Sequence, residues 1–294
     1  MTVAEPPVQT SLQRILVATD FSERSERALL TALGIAHRHG AELHLLHAVP
    51  AEGYGVTGVG MLGAAHFARR SMQRLESKLL ENGSLDGIRY QLSVEKGEIL
   101  PVVSRILEEE SIDLAVLGTH GRGGVGKLLL GSVAERIFRQ ALCPVLTVGP
   151  NFQSHSPSTP RPKSILFSTD FSPQSEHAFP YAVFLARESR ARLTILNVMK
   201  ESGSEAGDHN DRARRYAMAR LEELLADAED LDCESMVETG NPTKTILKVA
   251  DGRDVDLIVL GVRPASLPNR LGWSTAYGVV REAHCPVLTV RSGG

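Results

Sequence analysis

Leu117-Gly118-Thr119-His120-Gly121-Arg122-Gly123-Gly124-Val125-Gly126-Lys127-Leu128-Leu129-Leu130-Gly131-Ser132 follows an apolar run, Leu114 to Leu117, and ends where a helical pattern opens. A glycine-rich segment between a strand and a helix brings bare backbone N–H groups up to an anion at the positive end of the helix. It is a candidate phosphate cradle. Its spacing and its place in the chain decide of which kind.

Working outward, the chain repeats itself. Arg14-Ile15-Leu16-Val17-Ala18-Thr19-Asp20-Phe21-Ser22 reads as a buried strand followed by a turn, and Ser164-Ile165-Leu166-Phe167-Ser168-Thr169-Asp170-Phe171-Ser172 restates it 150 positions later. The same offset lays Ala41 to Val49 over Ala191 to Met199; it becomes 143 at Gly97 and Gly240, and 142 at Cys143-Pro144-Val145-Leu146-Thr147-Val148 and Cys285-Pro286-Val287-Leu288-Thr289-Val290. Hydrophobic period predicts strands over 14–20, 42–49, 88–95, 113–118 and 144–148, and helices over 22–39, 64–82, 98–110 and 132–141, with a Gly-rich loop over 52–63. Strands that alternate with helices and carry nearly continuous Val/Ile/Leu runs indicate parallel sheets covered on both faces. The fold class is therefore α/β, two tandem Rossmann-like, doubly wound domains, each a five-stranded parallel sheet flanked by helices. We expect them at 1–149 and 163–294, joined by the Ser/Pro-rich linker 150–162.

Three templates compete for the glycine loop. Gly121 to Gly126 satisfies G-x-G-x-x-G, but a dinucleotide fingerprint belongs after the first strand of its unit, with an acid ending the next strand. Here the loop follows the fourth strand, and Val148-Gly149-Pro150 offers no acid. Gly121 to Lys127 satisfies G-x-x-x-x-G-K, but Leu128 stands where a hydroxyl should hold Mg²⁺. The third template is Gly118-x2-Gly121-x9-Gly131-Ser132. It resembles the nucleotide motif of the universal stress protein family, in its ATP-binding branch. Val17 to Ser22, Leu46-His47-Ala48-Val49, Asp113 to Gly121 and the Cys-Pro-Val-Leu-Thr-Val strings resemble further signatures in the family's order, so the resemblance spans both copies.

The resemblance implies ATP as ligand. Asp20, with the backbone at Ala18, Thr19 and Ala48, would hold the adenine and ribose end; Leu117, Gly118 and Gly121 would line the path of ribose and phosphates; Gly131, Ser132 and Val133 would meet the phosphates at the helix start. Ala48 replaces a common valine at a backbone-type contact. Mg²⁺ would ride on the phosphates, because no His/Cys/carboxylate cluster in the sequence has metal-ligand spacing. The family also implies pairing of the two copies through their last strands, Val145 to Val148 and Val287 to Val290, about a pseudo-two-fold axis. It admits a homodimer of whole chains and an unidentified protein partner.

Plainer readings exist for several of these residues. Ser132-Val133-Ala134-Glu135 is also a capping box, and Asp20 or Asp170 could cap the helix that follows it. His120 has no partner carboxylate in sequence reach, Arg122 and Lys127 face either phosphate or water, and Cys143 and Cys285 read as packing residues. The basic residues Arg69, Arg70, Arg74 and Lys78 mark the solvated face of a helix.

The second copy keeps Ser168-Thr169-Asp170 and Leu257 to Gly261, but Pro264 falls at the place of Gly121 and Trp273 at that of Gly131. Proline removes a backbone donor, and an indole fills the phosphate's path. Tyr277 replaces the helix-start glutamate. One nucleotide site per chain is expected, in the first copy; an alignment slid by one residue places Gly272 at the Gly131 position and would leave a weak site in the second.

A chain of 294 residues with 42% hydrophobic and 23% charged residues has an ordinary globular composition, and a formal net charge of −3 gives no global attraction to nucleic acid or anionic membrane. Met1 to Gln13 lacks the apolar core of a signal peptide, no run approaches a membrane span, and the cysteines number three, so a reducing cytoplasm is expected. The leading functional expectation is an ATP-binding stress-response or signalling protein, not an enzyme. Its rivals are a slow ATPase or adenylyl-transfer enzyme, against which stands the absence of His-x-Gly-His and Ser-Gly-Gly-x-Asp-Ser, and a nucleotide-free interaction scaffold.

Overall fold

The computed structural model describes residues 12–50, 61–118, 132–149, 152, 161–200, 207–262 and 271–291. The first half runs β1 (Arg14–Ala18), α1 (Glu23–His39), β2 (Glu42–Val49), α2 (Met61–Glu81), β3 (Tyr90–Lys96), α3 (Ile99–Glu109), β4 (Leu114–Gly118), α4 (Ser132–Gln140) and β5 (Val145–Val148). The second repeats the order: β6 (Ser164–Thr169), α5 (Pro173–Ser189), β7 (Arg192–Met199), α6 (Gly207–Ala226), β8 (Cys233–Thr239), α7 (Pro242–Gly252), β9 (Leu257–Val262), α8 (Leu271–Glu282) and β10 (Val287–Arg291).

The ten strands form one sheet in the order β3-β2-β1-β4-β5-β10-β9-β6-β7-β8. Within each half every pairing is parallel, as the uninterrupted apolar runs require. The expected pairing of the last strands is present: β5 and β10 run antiparallel with Leu146 opposite Leu288. Thr147 Oγ1 donates to the Val287 carbonyl at 3.1 Å and Thr289 Oγ1 to the Val145 carbonyl at 3.2 Å, so equivalent threonines stitch the seam about a pseudo-two-fold axis. One face of the sheet carries α1, α2, α5 and α6 over a core continuous across the seam. On the other face α3 packs in the first half, α7 and α8 in the second, and Phe138 of α4 joins the second half's cluster.

Element ends differ from the sequence expectation where turn chemistry intervenes. The first strand stops at Ala18 and not at 20, because Phe21 takes a left-handed conformation at φ 62° and Thr19 and Asp20 bond forward into the turn. The third strand starts at Tyr90 and not at 88, after turns at Gly83 and Gly87, whose φ angles are 71° and 73°. The second helix already includes Met61, inside the expected loop; residues 51–60 lie outside the described residues. At the strand-starting edge, Asp113 Oδ2 accepts from the Gln13 and Arg14 N–H groups at 2.7 and 2.9 Å, and Asp256 does the same for Lys163 and Ser164. Both aspartates fasten the entry of a central strand.

Candidate functional site

In an open parallel sheet the crevice lies where the strand order reverses, outside the carboxyl ends of the strands. Here that point lies between β1 and β4: the chain leaves β1 towards β2 and β3, then crosses to β4 and β5 on the other side. Val17 pairs with Val116, and Ala18 pairs with Leu46 on the opposite side. The carboxyl ends of β1, β2 and β4 thus bring Ala18, Thr19, Asp20, Ala48, Leu117 and Gly118 to one edge. Gly121 and Gly131, with His120, Arg122 and Lys127, lie outside the described residues. Ser132 and Val133 lie at the described N-terminal end of α4 (Ser132–Gln140).

The turn after β1 is held by a chain of side-chain bonds. The Phe21 N–H donates to Thr19 Oγ1 at 3.0 Å, Ser25 Oγ donates to the Ser22 carbonyl at 2.9 Å, and Thr19 Oγ1 lies 3.0 Å from Ser25 Oγ. Since the one Ser25 hydroxyl proton goes to Ser22, Thr19 is the donor between the two hydroxyls. Thr19 therefore serves the turn with its side chain, and Thr169, Phe171, Ser172 and Ser175 repeat the set in the second half. The network holds Phe21 and Phe171 at φ 62° and 57°, where a non-glycine residue is strained.

Neither aspartate caps its helix. Ser22 is the N-cap, its side chain accepting from the Ser25 N–H, while Asp20 Oδ1 accepts from the Ser22 N–H at 3.0 Å, one turn upstream of the helix proper. Asp170 and Ser172 share the arrangement. The two differ in setting, because Asp20 is half-buried and Asp170 exposed.

His47 was given no role on sequence grounds, yet it braces this edge. It is 4% exposed, its Nδ1 lies 2.7 Å from the Thr19 carbonyl, and its ring sits 4.5 Å from that of Phe21. In the second half Asn197 Nδ2 donates to the Thr169 carbonyl at 2.9 Å. Both side chains carry a nitrogen at the δ position, so the repeat itself signals that an N–H donor is wanted here, and it identifies His47 as protonated on Nδ1.

Gly118 has a packing reason of its own. A Cβ there would lie 2.9 Å from the Arg24 carbonyl oxygen, and one at Gly261 would lie 2.2 Å from that of Gln174. The end of β4 packs directly on the first turn of α1, and β9 on that of α5. Leu117, 2% exposed, points into the core, so only its backbone faces the edge.

Ser132 of α4 has Ser274 of α8 as its counterpart in the repeat.

The cysteines are packed. Burial pushes the Cys143 and Cys285 thiols up to about 12 and that of Cys233 to about 11, far from the range of a reactive thiolate. Among the described residues no group of three His, Cys, Asp or Glu side chains could hold a metal ion, and no helix is long and apolar enough to cross a membrane.

The family model described as universal stress protein family matches residues 11–149 and 162–291. A universal stress protein of Mycolicibacterium smegmatis is 27% identical over 293 residues, covering 94% of this chain and 96% of its own. One from Thermus aquaticus is 34% identical over 139 residues, 46% of this chain and 96% of the relative. The crystal structure of a universal stress protein from Archaeoglobus fulgidus DSM 4304 superimposes with a TM-score of 0.69 at 24% identity, covering 95% of this chain and 98% of that one.

Proposed function

This chain belongs to the universal stress protein family, and from that premise we propose that its first half binds one ATP whose bound state modulates the conformation of the chain or its hold on a protein partner, while the second half is a structural mate. The observation that carries this reading is the convergence of Ala18, Thr19, Asp20, Ala48, Leu117 and Gly118 at the carboxyl ends of β1, β2 and β4, beside the point where the strand order reverses. From there the sequence spacing Gly118-x2-Gly121-x9-Gly131-Ser132 leads to α4, whose positive end would face the phosphates. In the second half Pro264 and Trp273 stand at the sequence places of Gly121 and Gly131.

Asp20 and the backbone at Ala18, Thr19 and Ala48 would take the adenosine end, Leu117, Gly118 and Gly121 the path towards the phosphates, and Gly131, Ser132 and Val133 the phosphates themselves. Such a ligand would be held through backbone donors at the start of α4 rather than through a cluster of charges. Mg²⁺, held through the phosphates, would neutralise part of their charge. The partition at 149 and 163, a cytoplasmic location and pairing of whole chains through other surfaces belong to the same proposal.

The test is to denature the purified full-length protein and identify what it releases, then to titrate the emptied protein with ATP. Released or rebound ATP supports the reading. Bound ADP or AMP with turnover of added ATP favours a slow ATPase or an adenylyl-transfer enzyme, and a protein that carries and binds no nucleotide favours the scaffold.

A further inference from the structure

The seam between the halves is made of the same residues on both sides. Val145-Leu146-Thr147 faces Thr289-Leu288-Val287, and each threonine donates to the opposite strand. These strands alone would form the same ladder between two first halves, between two second halves, or between one of each. The helices above them are not interchangeable.

α1 and α5 lie on one face of the sheet, and their C-terminal ends meet. His39 Nε2 lies 3.8 Å from Glu188 Oε2, with the two side chains 12% and 22% exposed, and half-buried Arg38 lies in the field of Glu188. The offset of 150 that matches Ala41 to Ala191 makes Glu188 the counterpart of Arg38. Equivalent positions at the axis thus carry opposite charge. One turn and two turns back along the same helical face, Gly34 and Thr31 are matched by Phe184 and Tyr181. Gly34 and Thr31 are buried, the two aromatics half-buried. Tyr181 reaches past the seam, where with Leu142 and Cys143 of the first half it lines a cleft of about 670 Å³.

We propose that this asymmetry of α1 and α5 makes the seam heterotypic: a first half accepts a second half and rejects another first half. Paired with its own kind, α1 would set Arg38 against Arg38 over a small-residue face, and α5 would set Glu188 against Glu188 with its aromatics crowded together. Like charges shielded from water in an interface select strongly against such a pairing. The consequence is topological. Pairing of like halves leaves the other half's edge strand open to a further chain and propagates, whereas pairing of unlike halves closes.

Wild type, Arg38→Glu, Glu188→Arg and the charge-swapped Arg38→Glu/Glu188→Arg chain, all full length, are compared by size-exclusion chromatography with light scattering across a wide concentration range. Each single variant is expected to raise the ratio of larger species to the wild-type species roughly tenfold at a fixed concentration, and the swapped chain to return it to the wild-type value. Single variants that superimpose on wild type, or a swapped chain whose change is the sum of the two singles, would overturn the proposal. Should a charge reversal leave the chain unfolded, Arg38→Gln, Glu188→Gln and their double supply the same cycle through the melting temperature. Non-additive shifts there support the pairing, and additive ones overturn it.

Discussion

At Gly118 two effects of a single methyl group oppose each other. Its φ is not in the left-handed region, so alanine would gain about 0.4–1 kcal/mol by restricting the unfolded chain. The added Cβ, however, would stand 2.9 Å from the backbone oxygen of Arg24, and overpacking of that kind costs about 1–3 kcal/mol. The clash wins. Gly118→Ala should lower stability in denaturant titration, and Gly261→Ala, with 2.2 Å to Gln174, should lower it more. His47 permits a sharper comparison. His47→Asn should retain the bond to the Thr19 carbonyl, as Asn197 does in the second half, while His47→Ala should lose about 1–2 kcal/mol. Equal losses for the two would show that the ring and not the bond is what matters.

The Cys285 thiol gives a pH dependence with a definite sign. Burial raises it from 9.0 to about 12, so the folded chain keeps a proton that the unfolded chain gives up. This contribution is fully present below pH 9 and is lost as pH rises towards 12. The denaturant midpoint should fall more steeply over that window in wild type than in Cys285→Ala. Parallel slopes would show that the thiol titrates no differently in the folded chain.

At the scale of the element, strands and helices were legible because apolar period and a doubled sequence both report on them. The turn that closes β1 was not. Asp20 and Ser22 are both good caps, and only the geometry of Phe21 at φ 62° makes Ser22 the cap and gives Asp20 the preceding N–H. Gly118 was legible as a glycine that something must approach closely, but sequence could not say that the close neighbour is helix α1. The expectation of a single cradle rests on sequence alone, on Pro264 and Trp273 at the places of Gly121 and Gly131. If free N–H groups at the start of α4 hold the phosphates, Gly131→Trp should abolish ATP binding while leaving the melting temperature of the nucleotide-free protein close to wild type. Retained affinity would place the phosphates elsewhere.

For the molecule as a whole, the family resemblance implied the seam, in which the last strand of each half covers the edge of the other. The meeting of α1 and α5 was not visible, since His39 and Glu188 look like ordinary solvated helix ends until the folded sheet brings them together, with Arg38 in the field of the same carboxylate. Replacing both seam threonines with the near-isosteric valine removes two buried hydrogen bonds at about 1 kcal/mol each. Thr147→Val/Thr289→Val should therefore lower stability by about 2 kcal/mol in denaturant titration, through a shift in midpoint. A loss no larger than that of either single variant would mean that the two bonds are not independent.

The claim that one half is a nucleotide module and the other its mate is tested most directly by isothermal titration of the emptied, full-length protein with ATP. One site per chain, lost in Gly131→Trp, is the expected result. Two sites per chain, or one that survives that substitution, would contradict it.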